Sequence, residues 1–131
     1  MLSPIPSHLP ELPVYQKAMA IFALSQNISS YLREDLAHLS VDGKENKNIY
    51  FSGDIVQQSV ALAPEIIRAE LELYADKKHK HLSALKILTN RLYSNCKRLE
   101  KSNSNGRDYI LVLRKELKSF KKLQHNWALT L

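Results

Sequence analysis

The sequence predicts an all-α protein, an antiparallel up-down-up-down four-helix bundle whose second helix is kinked at Pro64. Three observations predict it. The chain of 131 residues has three glycines, and all five prolines lie in its first half, which favours long uninterrupted helices over strands joined by tight turns. Apolar residues recur at spacings of three and four, as on one face of a helix. No segment shows the sustained period of two that a half-buried strand would show.

The N-terminal region divides into an arm and a first helix. The stretch MLSPIPSHLPELP carries four prolines, so residues 1–12 are predicted to form an extended arm and residues 13–131 the bundle. The first helix is expected from Val14 to Leu39. Pro13 is well placed at its start, because the N–H that proline lacks would have no partner in the first turn of a helix. The polar segment 40–48 is expected to be a loop. The apolar seam of the helix is Val14, Ala18, Ile21, Ser25, Ile28, Leu32 and Leu36.

The second helix contains Pro64. Proline removes a backbone donor and clashes with the carbonyl four residues earlier, which costs about 3 kcal/mol inside a helix. The apolar pattern continues in phase on both sides, so a kink is expected and not an end. Ser52 or Asp54 is predicted to cap the start of the helix. The seam is Ile55, Ser59, Leu62, Ile66, Ala69 and Leu73.

Two further helices complete the predicted bundle. The connection into the third helix is expected around Ala75 to Lys78; the alternative is that the second and third helices run on almost without a break. The turn KSNSNG at 101–106 is expected to end the third helix. Asp108 suits the start of the fourth helix because an acid there is favoured by the helix dipole. The two seams are Leu82, Leu85, Thr89, Leu92, Cys96 and Leu99, and then Ile110, Leu113, Leu117, Phe120, Gln124 and Trp127.

The net charge of +6 is unevenly distributed. Residues 1–66 carry four basic and seven acidic side chains, a net of −3, whereas residues 67–131 carry fifteen basic and six acidic side chains, a net of +9. A basic surface attracts polyanions, and nucleic acid is the most common large polyanion in a cytoplasm. The alternative is that these lysines and arginines are good helix formers on a solvated face.

Most of the positive charge in the third and fourth helices lies away from the apolar seams. If these helices pair antiparallel, the start of one and the end of the other share one end of the bundle, where His79, His81 and His125 also lie. The sequence shows no recognised DNA-reading motif and no exposed aromatic platform, so binding without sequence specificity is expected. The candidate nucleic-acid-binding residues are Lys77, Lys78, Lys80, Lys86, Arg91, Lys97, Arg98, Arg114, Lys118, Lys121 and Lys122.

Catalysis and metal binding are not expected. The sequence has no phosphate-binding glycine loop and no nucleophile elbow. Asp35 and His38 are three residues apart but lack the counterpart that a di-iron bundle needs, and lysines flank His79 and His81. Cys96 occupies a seam position, where a buried small hydrophobe is expected. We therefore predict a non-enzymatic protein without metal or cofactor.

The expected location is cytoplasmic. The sequence has no run of about 18 apolar residues, so a membrane span is not predicted. The start of the chain lacks the basic region and the apolar stretch of a secretory signal. A single cysteine agrees with a reducing compartment.

Four stretches in this order carry a family resemblance: LPVYQKAMAIF at 12–22, SVALAPEIIRAE at 59–70, HLSALKILTNRLY at 81–93 and LKSFKKLQHNWAL at 117–129. Together they resemble the four-helix-bundle family of proteins encoded in intervening sequences of bacterial 23S ribosomal RNA genes and of accessory variability proteins of diversity-generating retroelements. Pro64 matches a proline in the second helix of the ribosomal branch, and Trp127 matches a tryptophan of the accessory branch. Glu65 after the proline, and His125 and Asn126 before the tryptophan, depart from these patterns and leave both branches open.

The resemblance implies a homopentameric barrel of antiparallel bundles and, for the accessory branch, binding of nucleic acid and of a reverse transcriptase through a basic surface. The leading hypothesis is therefore an oligomeric bundle that binds RNA or DNA as an accessory to a reverse transcriptase or another nucleic-acid enzyme. The alternative is a protein-interaction scaffold that docks an acidic partner without binding nucleic acid. Oligomerisation is also expected because six aromatic residues exceed what a thin bundle core can readily hold, so that some are expected to cover a subunit interface. The six are Tyr15, Tyr50, Phe51, Tyr74, Tyr93 and Tyr109.

Overall fold

The computed structural model describes residues 8–35, 48–101 and 107–131, and these residues contain no strand. They form a short 3-10 helix, Leu9–Glu11, and five α-helical segments: α1 Pro13–Asp35, α2 Asn48–Val60, α3 Leu62–Leu71, α4 Ala75–Glu100 and α5 Arg107–Ala128. The all-α prediction is confirmed for this part of the chain. Residues 1–7 of the predicted arm, the first helix beyond Asp35 with His38, residues 40–47 of the predicted loop and residues 102–106 of the predicted turn lie outside the described residues, as does the side chain of Leu32.

One hydrophobic core joins the helices. The helix α1 packs against α2 and α5, and α4 packs against α2, α3 and α5. The predicted seams supply the core, and each Å² of apolar surface they bury contributes roughly 25 cal/mol. The buried apolar residues include Val14, Ala18, Ile21, Ile28, Ile55, Leu62, Ile66, Ala69, Leu85, Leu92, Cys96, Leu99, Ile110, Leu113, Leu117, Phe120 and Trp127. Leu73 is an exception with 90% of its surface exposed, because α3 has already ended at Leu71.

The interruption of the second predicted helix lies at Ala61, three residues before Pro64. The helix α2 ends at Val60, Ala61 forms a turn, and Pro64 is the third residue of α3. In an unbroken helix, Pro64 would leave the carbonyl of Val60 without its N–H donor, and the proline ring would clash with that carbonyl. In the first turn of α3 the missing N–H has no helical partner to lose. The sequence predicted a kink at Pro64 within one continuous helix; the structure instead ends one helix at Val60 and begins another at Leu62, one turn before the proline.

The chain turns between α3 and α4 at Glu72–Tyr74, so the connection predicted around Ala75 to Lys78 is wrong. Glu72 and Tyr74 have extended backbone, and Glu72 Oε1 accepts a hydrogen bond from the Tyr74 N–H. The N–H of Lys78 already bonds to the carbonyl of Tyr74. Ala75 to Lys78 thus form the first turn of α4.

Two other segments start differently from the prediction. The helix α2 begins at Asn48, so Ser52 and Asp54 lie inside it and neither is its cap. Within the segment predicted as an extended arm, residues 9–11 form the 3-10 helix and Leu9 is fully buried in the core. This part of the chain packs on the helices because a leucine side chain here finds apolar neighbours.

Candidate nucleic-acid interface

The predicted contact residues lie on separate surfaces of the structure. Four line the groove between α4 and α5, here called the α4–α5 groove: Lys86, Lys97, Arg114 and Lys121. Two line a groove between α2 and α4: Arg91 and Arg98. Three lie in the first turns of α4: Lys77, Lys78 and Lys80. Lys118 and Lys122 are exposed side chains of α5.

The α4–α5 groove is built around the ring of Tyr93. Lys97 on α4 places its Nζ 5.1 Å from the centroid of that ring. From α5, Lys121 Nζ lies 4.4 Å and the guanidinium carbon of Arg114 lies 5.8 Å from the same centroid. A cation–π contact at an exposed site contributes about 0.5–1 kcal/mol. One half-buried aromatic side chain thus gathers three cations from two helices.

Helical spacing explains why these side chains meet. Residues four apart lie on the same helix face, so Tyr93 and Lys97 are neighbours on α4, beside the buried seam. Arg114 and Lys121 are seven residues apart, which is about two turns of α5, and they flank the buried Leu117. Packing the two seams together therefore brings the flanking residues of both helices to the rim of one groove.

Arg114 differs from the two lysines in being ion-paired. Its Nη1 donates to Glu100 Oε2 at 2.7 Å. The Glu100 side chain is 15% exposed, and its second oxygen, Oε1, is buried with no hydrogen-bond partner among the described residues. In the part of the chain that is described, Lys97 and Lys121 have no carboxylate at ion-pair distance. Their charges are therefore free to attract a polyanion.

The same groove contains a cavity of about 620 Å³ towards the start of α4 and the end of α5. Lys86 and Lys121 line it together with His79 and His125. Three of these four residues belong to the basic end that the sequence predicted. Lys121 lines the cavity and also contacts the Tyr93 ring, so the cavity and the ring adjoin in the groove.

The groove between α2 and α4 has a different character. Asp54 lines it opposite Arg91 and Arg98, so the charges there are mixed. The Asn95 amide donates to Gln58 Oε1 at 2.9 Å and ties α4 to α2. The sequence analysis treated the basic residues of α4 as one set. In the structure, Lys86 and Lys97 line the α4–α5 groove, whereas Arg91 and Arg98 line the groove between α2 and α4, because the two pairs lie on different sides of the helix.

The first turns of α4 form a third location. Lys77, Lys78 and Lys80 lie at a helix N-terminus, where the macrodipole disfavours positive charge, and Asp76 is the residue that complements it. Lys77 Nζ lies 5.2 Å from the Tyr74 ring centroid. Lys78 lines a small cavity with Leu73 and other apolar residues at this end of the molecule. His79, which follows Lys78 in the chain, lines the cavity of the α4–α5 groove. The three lysines therefore lie beside that groove, and they do not contact the Tyr93 ring.

Glu65 of α3 is paired inside the protein. Its Oε1 accepts a hydrogen bond from Arg68 Nη1 at 2.7 Å, and its Oε2 lies 3.0 Å from His81 Nδ1 on α4. The sequence placed His81 in the basic end cluster. The structure instead gives it a carboxylate partner, so it contributes to the contact between α3 and α4.

Glu70 of α3 is also paired. Its Oε1 accepts a hydrogen bond from Trp127 Nε1 at 2.6 Å, and its Oε2 lies 3.2 Å from His8 Nε2. The indole is 6% exposed, so its N–H needs this acceptor. Glu70 thereby connects α3 with the end of α5 and with the N-terminal segment.

Among the described residues, no three potential metal-ligating side chains come together. Burial raises the pKa of the Cys96 thiol to about 12, the charge of Glu100 adds to this and Arg114 opposes it. The thiol is therefore a neutral, buried group, in agreement with the sequence prediction. No helix in the described ranges combines the length and the apolar character that crossing a membrane requires.

Sequence reasoning missed two groups of residues. Tyr93 was assigned only to the surplus of aromatic residues, although Lys97 at i+4 is a signal that ring and charge share a face. Glu100, Glu65 and Glu70 were missed because nothing in the helix pattern pairs them with distant residues of other helices. The carboxylate pairs with His81, Arg114 and Trp127, and the approach of Arg114 and Lys121 to Tyr93, depend on contacts between helices.

Comparisons of the chain with protein-family models, with curated proteins and with solved structures find no match.

Proposed function

We propose that the protein is a non-enzymatic, antiparallel up-down-up-down four-helix bundle that binds RNA or DNA through the α4–α5 groove. The observation that carries the proposal is the collection of Lys97, Arg114 and Lys121 around Tyr93, with both lysines unbalanced by described carboxylates. Phosphate groups bind lysine and arginine side chains while counterions are released, and this supplies most of the affinity of sequence-independent binding. Binding without sequence specificity is the expected mode.

The antiparallel order is supported by pairs of contacts. Between α4 and α5, Glu100 pairs with Arg114, and Thr89 Oγ1 lies 3.5 Å from Gln124 Oε1. The residue numbers therefore fall along α4 as they rise along α5, as in antiparallel helices. Two contacts of α4 with α2 and α3 follow the same order: Asn95 with Gln58 and His81 with Glu65.

A titration with salt tests the proposal. A fluorescently labelled oligonucleotide should bind with micromolar affinity at about 50 mM salt, and the logarithm of the affinity should fall linearly with the logarithm of the salt concentration. Fluorescence anisotropy measures both. Absence of binding at low salt would contradict the proposal.

A pair of charge-matched variants locates the surface. Lys86→Glu with Lys121→Glu should lower the affinity roughly tenfold or more for all sequences alike and should reduce the salt slope by about 2, one for each lost phosphate contact. The control is Lys77→Glu with Arg91→Glu, which changes the net charge equally on exposed residues outside the groove. Equal losses in the two double variants would show that net charge alone attracts the nucleic acid and would exclude the groove as its site.

We also propose that the chain is related to the family of ribosomal intervening-sequence and retroelement accessory proteins. It would then assemble into a homopentamer and act as an accessory to a reverse transcriptase or another nucleic-acid enzyme. Exposed aromatic rings support assembly: Tyr74 and Tyr109 are more than half exposed, whereas Tyr50 and Phe51 lie outside the described side chains. Light scattering coupled to size exclusion should give the mass of five chains. A monomer at high protein concentration would contradict the assembly.

A protein-interaction scaffold is the second candidate function. The observation that favours it is an apolar surface at the end of the molecule, where Leu73 and Leu131 line a cavity beside Lys78 and Leu129 is 74% exposed. An acidic protein recovered with the chain after nuclease treatment, and released by Leu73→Asp, would favour the scaffold. Release by Lys86→Glu with Lys121→Glu would instead assign the protein partner to the α4–α5 groove.

A further inference from the structure

We infer that the α4–α5 groove selects single-stranded nucleic acid, with one unpaired base stacked on the ring of Tyr93 and the flanking phosphates bound by Lys97 and Lys121. This inference rests on the proposed function and adds to it the class of nucleic acid and the position of a base. Lysines alone do not distinguish a single strand from a duplex, because both present phosphates. The aromatic ring among them makes the distinction.

Tyr93 is suited to hold a base because its position is fixed. Part of its side chain packs against the hydrophobic core, and the remainder lies between α4 and α5 beside three cations. A ring that is already ordered loses little conformational freedom when a ligand binds. Every base has a π-face, so stacking on such a ring is tolerant of sequence.

The cations near the ring do not prevent stacking. A base stacked on an aromatic side chain contributes more than a cation–π contact at an exposed site. The Lys121 ammonium, which lies 4.4 Å from the ring centroid, can therefore leave the ring for a phosphate while a base takes its place. Lysine has a long flexible stem, whereas Arg114 is held by Glu100 and remains as the fixed edge of the site.

The dimensions of the groove agree with a short strand. From His79, which lines the cavity, to Lys97 beside the ring is a distance of roughly 27 Å along α4. For comparison, OB folds, which bind single strands in basic grooves with aromatic side chains, accommodate about 4–16 nucleotides. A duplex cannot offer an unpaired base to Tyr93, so it would use the lysines without the ring.

The test compares a single strand of about 12 nucleotides with a hairpin duplex of the same composition. The wild-type protein should bind the single strand more tightly, and a 2-aminopurine in the strand should lose fluorescence on binding because it stacks. Tyr93→Leu should weaken the single strand roughly tenfold and leave the duplex unchanged. Tyr93→Phe, which keeps the ring, should behave as wild type.

Each other outcome is decisive. Equal affinity of the wild-type protein for single strand and duplex would overturn the inference and leave the proposed function standing. An equal loss of single-strand and duplex affinity in Tyr93→Leu would also overturn it. If neither nucleic acid binds the wild-type protein, the proposed function itself fails. The comparison of the two ligands on the wild-type protein does not depend on whether Tyr93→Leu folds.

Discussion

The carboxylates of α3 and the cations of the α4–α5 groove differ in their partners and in their burial. Glu65 and Glu70 are largely buried and paired with residues of other segments. Lys97 and Lys121 reach an aromatic ring and have no described carboxylate partner. The difference shows that charge buried between helices orients them, whereas charge left on a rim remains available to a ligand. Stability and affinity should therefore depend on different residues.

The largest expected effect comes from removing the indole that Glu70 holds. Trp127→Ala should lower the free energy of unfolding by about 3–5 kcal/mol, because it leaves a cavity and takes the donor from a largely buried carboxylate. Urea denaturation followed by circular dichroism measures the change. A loss below about 1 kcal/mol would show that the end of α5 is not anchored by this residue.

Removing the carboxylate should have the next largest effect. Glu70→Ala should cost about 1–3 kcal/mol, since it leaves the Trp127 N–H buried without an acceptor, and it should not weaken nucleic-acid binding. Glu11→Ala, at an exposed residue, makes the same change in charge and is the control. Equal destabilisation by the two variants would contradict a specific structural role of Glu70.

The buried thiol predicts a pH dependence of smaller size. The pKa of Cys96 is raised from 9.0 to about 12 in the folded protein, so the thiol ionises in the unfolded state first. Its contribution to stability is complete below pH 9 and is lost as the pH rises towards 12. Between pH 8 and pH 10 the stability of the wild-type protein relative to Cys96→Ala should fall by about 1.4 kcal/mol, measured by urea denaturation. An unchanged difference would contradict the raised pKa.

The smallest effect on stability is expected in the groove. Lys86→Gln with Lys121→Gln should change the free energy of unfolding by no more than about 1 kcal/mol, because the principal described contact that it removes is one cation–π pair. The same variant should weaken nucleic-acid binding. A large loss of stability without loss of affinity would show that these lysines stabilise the fold and do not bind nucleic acid. That result would contradict the difference drawn between the groove and the carboxylates of α3.

Much of the fold followed from local patterns. The seam residues predicted for the third and fourth helices are buried, except for the half-buried Leu82 and Gln124, because a helix that presents apolar residues every three or four positions must cover that stripe. Boundaries were less predictable. The turn at Glu72–Tyr74 carries no glycine or proline to mark it, and Pro64 acts on the carbonyl of Val60, one turn before itself.

The candidate site was predictable in composition but not in arrangement. The sequence identified the basic residues of α4 and α5, and the structure separates Lys97 from Arg98 although they are adjacent in the chain. Successive residues of a helix point about 100° apart, so neighbours in sequence can line different grooves. The role of Tyr93 required knowing which residues of α5 face it.

By itself, the sequence determined the all-α class, the seams that form the core and the excess of positive charge in the second half of the chain. These properties depend on residues close together in the sequence, and helical periodicity expresses them directly. The tertiary structure alone decided which charges are paired and which are free: Glu100 balances Arg114, Glu65 holds His81, Glu70 holds Trp127, and Lys97 and Lys121 share the ring of Tyr93. The physical reason is that the three carboxylate contacts join residues 14 to 57 positions apart, and only the packing of helices brings such residues together.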